Sequence, residues 1–235
     1  MKEQQIYYYQ GKYPVVIIPK KNYKYITTQI SSGRIIVKCL PETPKEYINS
    51  ILEKSLPEIK KLFQNCKGGW LPYQYQDEET HYVFGQEYTL KVHTGTTNKI
   101  RLRAPYLELC CKENTFEYKD KIYKQWAKRE VGKVVKRLTN KWAPRILEGL
   151  FSNTNIEIMV RKYKKIWGKC YKPKKKIGFN IDLIKLPKEI IEYVVVHELT
   201  HFWVSGHSAK FYDIVSKHLP NWQPLEEELN NYSCL

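Results

Sequence analysis

Apolar positions recur along this chain with two different periods, and the changes of period mark out its organisation. In the first 40 residues they alternate or run in short blocks, "YPVVIIP", "KYITTQI" and "RIIVKCL", with "SSG" as a turn, which predicts strands. "TPKEYINSILEKSLPEIKKLF" then shifts to helical spacing. Thr43 with Glu46 fits a capping box with Pro44 at the first helical position, and Ser55 with Glu58 repeats the signature around Pro57. Two short helices are expected, the second stopped by "NCKGG". Alternation returns over residues 81–111 in "HYVFGQEYTLKVH" and "KIRLRAPYLELCC", with "TGTTN" as a turn.

From about Asp120 the spacing of Trp126, Val131, Val134, Val135, Leu138 and Trp142 predicts a long helix, which Pro144 should break or bend before "RILEGLF" closes it. "IEIMV" and "KIGFNIDLI" follow as two short strands around a basic loop. Pro187 opens a further helix, "PKEIIEYVVVHELTHFWV", apolar almost all round. "SG" at 205 and 206 makes a turn, and "HSAKFYDIVSKHLP" is the next helix, with Pro220 as its stop. No internal repeat is visible. The fold class is α+β: a β-rich region with short helices over residues 1–119, then a helical half over 120–235 that carries a helix beside a small sheet, the two being separate or one integrated domain.

Composition narrows the function classes. A 235-residue chain that is 42% hydrophobic, with 19 tyrosines, can bury a core without staples. The formal charge of +16 favours acidic partners, such as nucleic acid or nucleotides, although a lysine-rich solvated surface gives the same total. The six cysteines contain no C-x-x-C pair, so neither a zinc ribbon nor a disulfide framework is indicated. "MKEQQIYYYQ" lacks the apolar centre of a signal peptide, and runs such as "PVVIIP" are far too short to span a membrane. A reduced, cytoplasmic protein is expected, with no membrane partner.

The chemistry lies in "HELTH". At 100° per residue His201 projects about 40° from His197, and Glu198 lies about 60° beyond His201, so the three share one arc. Val195, Leu199 and Phe202 occupy the other side of the helix. Two imidazoles one turn apart can both reach one Zn²⁺ at about 2.0–2.1 Å, with the glutamate beside the ion's open position as general base. A catalytic zinc takes a third protein ligand, and His207 is the nearest, swung back by the turn at 205 and 206. Asp213, His218 and the acidic cluster Glu226, Glu227, Glu228 are the other candidates. The H-E-x-x-H-x₅-H spacing equals that of metzincins, but Val204 stands where their glycine falls and no methionine follows the motif, so the chain is not one of them. His81 and His93 suit structural or surface roles.

"YVVVHELTHF" followed by "GHSAKFYDIVSKHLP", with "WGKC" and "IGFNIDLIKLP" upstream, resembles the YgjP-like metallopeptidases, compact cytoplasmic zincins related to the SprT-like and minigluzincin groups. "GRIIVKCLP" and "GQEYTLKV" are weaker matches. Two positions depart from the pattern: Ile166 stands where an arginine commonly precedes the tryptophan, and Lys169 replaces a serine. The resemblance implies His197, His201 and His207 as ligands of one zinc per chain, and Glu198 as the base that activates a zinc-bound water to hydrolyse a peptide bond.

It also implies an extended peptide or protein substrate paired with a strand edge, for which Ile177, Gly178, Phe179, Asn180 and Ile181 are the candidates, the rival reading being an interior strand with no free edge. Lys172, Lys174, Lys175 and Lys176 belong to "RKYKKIWGKCYKPKKK", a stretch without acids that could contact nucleic acid or another anion, or simply form a solvated hairpin. Two other functions suit the same residues. One is a zinc-dependent, UTP-type nucleotide pyrophosphohydrolase, an activity also attributed within the family. The other is a basic nucleic-acid-binding protein with a structural metal.

Overall fold

The computed structural model describes residues 5–10, 13–31, 34–65, 73–151, 155–164 and 166–232. Parts of "SSG" and "NCKGG", together with Cys66 and Cys234, fall outside them. The chain divides into two compact units, residues 1–72 with 231–235, and residues 73–230. The division expected at 119/120 therefore moves to 72/73. The strands between 80 and 111 stay with the long helix that follows, which packs on two of them.

The first unit holds strands β1 (Gln5–Tyr9), β2 (Tyr13–Pro19), β3 (Thr27–Ser31) and β4 (Arg34–Cys39) in the order β1-β2-β4-β3, with β2 and β4 parallel. Helices α1 (Lys45–Lys54) and α2 (Leu56–Asn65) follow. Ile35, Val37 and Cys39, two residues apart, share a core with Ile48 and Leu52, four apart, and with Val15 and Ile59. The capping box of Thr43 and Glu46 is not made. Pro44, extended at φ −62° and ψ 143°, is itself the N-cap without a side-chain bond, because its fixed φ suits the position before the helix as well as the first turn.

In the second unit β5 (Thr80–Val83), β6 (Gln86–Thr94), β7 (Lys99–Arg103) and β8 (Tyr106–Cys111) form a sheet in the order β5-β6-β8-β7, with β6 and β8 parallel. Order and strand senses repeat those of the first sheet, a repeat of topology that the residues do not disclose. The turn between β5 and β6 donates the N–H groups of Phe84 and Gly85 to the carbonyls of Ile184 and Lys185, at 2.6 and 3.2 Å. That tie fixes the segment entering the helix that carries the histidines.

Helix α3 runs from Phe116 to Ile146, starting before Asp120 because Thr115 caps it with a side chain that accepts from Tyr118 N–H. Pro144 neither breaks nor ends it. It falls in the last turn, where the missing N–H removes one bond, and buried Ala143 and Ile146 hold the turn in place. Strands β9 (Glu157–Arg161), β10 (Gly168–Tyr171) and β11 (Lys176–Asn180) form a small sheet in the order β10-β11-β9, β9 parallel and β10 antiparallel to β11. The basic segment expected as a loop thus contains an edge strand, followed by a short 3-10 turn at Lys172–Lys174. A second 3-10 turn, Ile181–Lys185, leads to α4 (Lys188–Thr200), α5 (Ala209–His218) and α6 (Trp222–Asn231). Helix α4 packs against α3, α5 and β10, which sets its polar residues beside the small sheet. Among the described residues no helix is long and apolar enough to cross a membrane.

Candidate metal centre

Helix α4 is buried on most of its surface through Ile190, Ile191, Val194, Val195, Val196 and Leu199. Among these apolar residues stand His197, Glu198 and, as the C-cap, His201, whose φ of −63° and ψ of −15° keep the helical spacing. The turn that follows closes through the N–H groups of Trp203 and Val204, both donated to the carbonyl of Thr200. It returns the chain so that His207 Nε2 lies 3.0 Å from His197 Nε2, while His201 Nε2 lies 3.2 Å from the same atom. Phe211 packs against all three imidazoles, with ring centroids 4.8–4.9 Å away.

The outward ring nitrogens are held in a defined sense. His201 Nδ1 donates to the Val204 carbonyl at 3.0 Å, which leaves the Nε2 lone pair facing its neighbours. His197 Nδ1 meets the Tyr193 hydroxyl at 3.4 Å, and that hydroxyl donates to Glu226 Oε1 at 2.6 Å. Burial first, then the neighbouring His201 and His207, hold the His197 pKa at about 3. Burial also lowers His201, against the opposing pull of the Val204 carbonyl. Both rings are neutral at neutral pH, the form in which imidazole binds metals.

The His197 and His201 rings turn their Nε2 lone pairs to one another at 3.2 Å and repel unless a cation lies between them. A tetrahedral ion with Zn–N of about 2.05 Å sets its ligand nitrogens about 3.3 Å apart, so the donor set fits zinc in both type and spacing. Among the described residues these three histidines alone form a group able to hold a metal.

Glu198 is 6% exposed, and its carboxylate accepts the backbone N–H of Cys170. Burial raises its pKa to about 8 against the lowering effect of that N–H. The close approach of helix to strand requires Gly168, since a Cβ there would lie 2.6 Å from Glu198 Oε1. The thiol of Cys170 is pushed up to about 12, by burial first and the Glu198 charge second, so it stays protonated and unreactive at neutral pH.

Expectation and structure part at the substrate strand. Ile177, Gly178, Phe179 and Asn180 lie in β11, the central strand, paired on both edges and buried, and Ile181 begins the 3-10 turn. No edge is free there for a peptide. Asn180 is instead a clamp: its Nδ2 donates to the carbonyls of Tyr163 and Ile166 at 3.1 and 2.9 Å, and its Oδ1 accepts from Asp182 N–H. Among the described residues no strand covers the outer edge of β10, although its Cys170 N–H is taken by Glu198. Trp167 O accepts from Asn180 N–H, so the antiparallel alternation turns the N–H and C=O groups of Gly168 and Cys170 to the open side, where Glu198 sits.

Of the four lysines singled out, Lys172, Lys174 and Lys175 are exposed in the turn after β10, while Lys176 pairs with Glu157 at 2.6 Å. None joins the three histidines. Glu226 is a hydrogen-bond partner of Tyr193 rather than a ligand, and the His218 ring packs edge-on to Trp142. His81 is fully buried, His93 exposed. Sequence reasoning missed Tyr193 and the Cys170 N–H, and had Glu226 only as a candidate ligand. Tyr193 had a signal, four residues before His197 on the same helix face, and Gly168 had one in "WGKC".

Residues 24–232 match the YgjP-like metallopeptidase domain family. No curated protein matches the chain. Among solved structures it is similar to the metallopeptidase zymogen of Pyrococcus abyssi abylysin, 22% identical over 43% of this chain and 89% of that one, with a TM-score of 0.33. It is also similar to the metallopeptidase zymogen of Methanocaldococcus jannaschii jannalysin, 24% identical over 41% of this chain and 91% of that one, again at 0.33.

Proposed function

Because the chain belongs to the YgjP-like metallopeptidase family, we propose that it hydrolyses peptide bonds with one zinc ion per chain, held by His197, His201 and His207. The observation that carries this reading is the convergence of three imidazole Nε2 atoms beside a buried carboxylate. A zinc ion bound there supplies Lewis acidity that polarises the scissile carbonyl and acidifies the attacking water. The chain's own groups do the rest. Val204 O and the Tyr193–Glu226 pair orient two of the imidazoles.

Glu198 takes the proton of the attacking water on its carboxylate and passes it to the leaving amine. Its raised pKa makes it a stronger base than an exposed glutamate, and the Cys170 N–H keeps it in place. A substrate added to the open side of β10 brings its backbone past that carboxylate. The described thiols Cys39, Cys110, Cys111 and Cys170 are all free, which suits a reducing, cytoplasmic setting.

Glu198→Gln tests the reading. It should retain zinc at one ion per chain by elemental analysis while peptide hydrolysis falls by about 10²–10⁴. Hydrolysis at the wild-type rate would end the role of Glu198, and a chain that takes up no zinc would end the zinc reading. A nucleoside triphosphate panel beside the peptides decides between peptidase and nucleotide hydrolase.

A further inference from the structure

Successive residues of β10 face opposite sides of the small sheet. Gly168 and Cys170 belong to the Glu198 side, while Lys169 and Tyr171 point to the other face. By register, Lys169 shares that face with Gly178 and Met159, and Tyr171 shares it with Lys176 and Glu157. Gly178 leaves a gap into which Tyr163 packs, and a Cβ there would collide with the Tyr163 hydroxyl.

Around that gap stands a cluster that the zinc chemistry does not use. The Tyr163 and Tyr171 hydroxyls are 3.4 Å apart, and Arg161 Nη2 donates to the Tyr171 hydroxyl at 3.5 Å. The Arg161 guanidinium lies 4.5 Å from the Tyr163 ring, and Lys169 Nζ lies 5.5 Å from the Tyr171 ring. The carboxylates in reach are already engaged, Glu157 by Lys176 and Asp182 by Lys162. Among the described residues neither Arg161 nor Lys169 has an ion pair, and both are exposed. Tyr171 is lowered from its usual pKa by the Tyr163 hydrogen bond and, to a smaller extent, by the charges of Arg161 and Lys169.

We propose that β10 selects extended peptides with Asp or Glu side chains at the positions opposite Lys169 and Tyr171. The proposal rests on the peptidase reading, in which substrate pairs with the open edge of β10. In such a pair, residues directly opposite project from the same face with Cβ atoms about 4.5–5.5 Å apart. Every second substrate side chain therefore lies against Lys169 and Tyr171, while those between face the Glu198 side. A carboxylate there meets the ammonium and the polarised phenol; a lysine or arginine meets two unpaired cations. Lys169 thus makes the cleft specific by charge without touching the hydrolytic groups.

The test uses zinc-loaded full-length protein and pairs of peptides, identical except for Glu or Lys at each position flanking the cleaved bond. The readout is the ratio of kcat/KM within one enzyme, in which losses of folding or zinc cancel. Glu should be favoured by about tenfold at alternating positions, the sum of a gained exposed pair and a removed repulsion. Lys169→Ser should bring the ratio down to about threefold and Lys169→Glu should invert it. Lys164→Ser, which removes an exposed charge from the same basic segment, should leave the ratio where it was.

Equal rates for Glu and Lys peptides in the wild type would overturn the preference while leaving the peptidase intact. An equal fall of the ratio in Lys164→Ser would overturn it too, by reducing it to bulk charge. Fluorescence anisotropy with zinc-loaded Glu198→Gln separates the remaining cases. Lys169-dependent binding of the acidic peptide, with no peptide cleaved by the wild type, would uphold the preference and sink the peptidase. No peptide binding of either kind would sink both. Tighter Lys169-dependent binding of a thymidine oligonucleotide than of the acidic peptide would overturn the proposal in favour of a nucleic-acid surface.

Discussion

At the end of α4 three imidazoles surround one point, whereas in β5 a single imidazole, His81, lies closed in by aromatic rings. Tyr73 stacks on His81 at 3.6 Å, and Tyr123 meets it edge-on at 5.4 Å. Its Nε2 bonds to Glu79 at 3.0 Å, and Glu79 also accepts the N–H groups of Gln74 and Tyr75. Lys119 donates to the Tyr75 carbonyl, and the Lys185 ammonium lies 4.6 Å from the Tyr73 ring. Burial lowers Lys185 to about 8 and lowers His81 below 6.5. Both clusters bear histidines whose pKa is lowered by burial, one of the usual marks of a functional site. Convergence is what differs. The α4 nitrogens that are not used for orientation aim at one point, while the polar groups around His81 are spent on the loop at 73–75 and the space between them is filled by rings.

The largest effect that this contrast predicts is on metal. His207→Ala removes one of the converging nitrogens, and zinc affinity should fall by about 10²–10³, roughly one ligand's share of such a site. His81→Gln should leave zinc affinity unchanged in the same titration; a comparable fall would erase the distinction between the clusters. Gly168→Ala comes next. The new methyl must displace the Glu198 carboxylate, so peptide hydrolysis should fall by about 10²-fold with zinc content intact. An alanine enzyme as fast as the wild type would mean the carboxylate does not work from this position. Glu226→Ala should act more gently, releasing the Tyr193 hydroxyl from its acceptor and weakening zinc by about 10–100-fold through a less oriented His197. Unaltered zinc affinity there would make the pair a packing feature only.

How much of this was legible beforehand depended on the range of each signal. The alignment of His197, Glu198 and His201 was readable because H-E-x-x-H puts them on one helix turn, a relation set by helical pitch alone. The α+β order of elements followed from local periodicity, down to two short helices around Pro57. Pairing partners were not legible. "KIGFNIDLI" has the apolar density of a strand, but whether it lies at an edge depends on which segments bond to it, and β10 hides in a run of lysines whose charge masks its alternation. Glu226 was visible only as part of an acidic cluster, since its partner Tyr193 is thirty-three positions away. The matching topology of the two four-stranded sheets was invisible because different side chains satisfy the same backbone pattern.

The smallest effect concerns pH, and it sharpens the contrast from the side of the enclosed histidine. Desolvation dominates at His81 and outweighs its bond to Glu79, so the folded chain holds the neutral ring, and its Nδ1 has no hydrogen-bond partner among the described residues. The unfolded chain takes up the proton at the ordinary value of 6.5, and the folded chain only at a lower pH. Stability should therefore be independent of this group above about pH 7 and should fall as pH drops through the unfolded value, by at most about 1.4 kcal/mol per pH unit. His81→Gln replaces the titrating ring with a group that can still donate to Glu79. Its urea-unfolding free energy should lie below that of the wild type at about pH 7.5, and the gap should narrow toward about pH 5. His197 and His201 titrate identically in both proteins and cancel in the difference. A gap that stays constant across this range would mean that folding leaves the His81 pKa at its unfolded value, and a gap that widens toward about pH 5 would mean that the ring is charged in the folded state, the Tyr73 stack then being a cation–π contact.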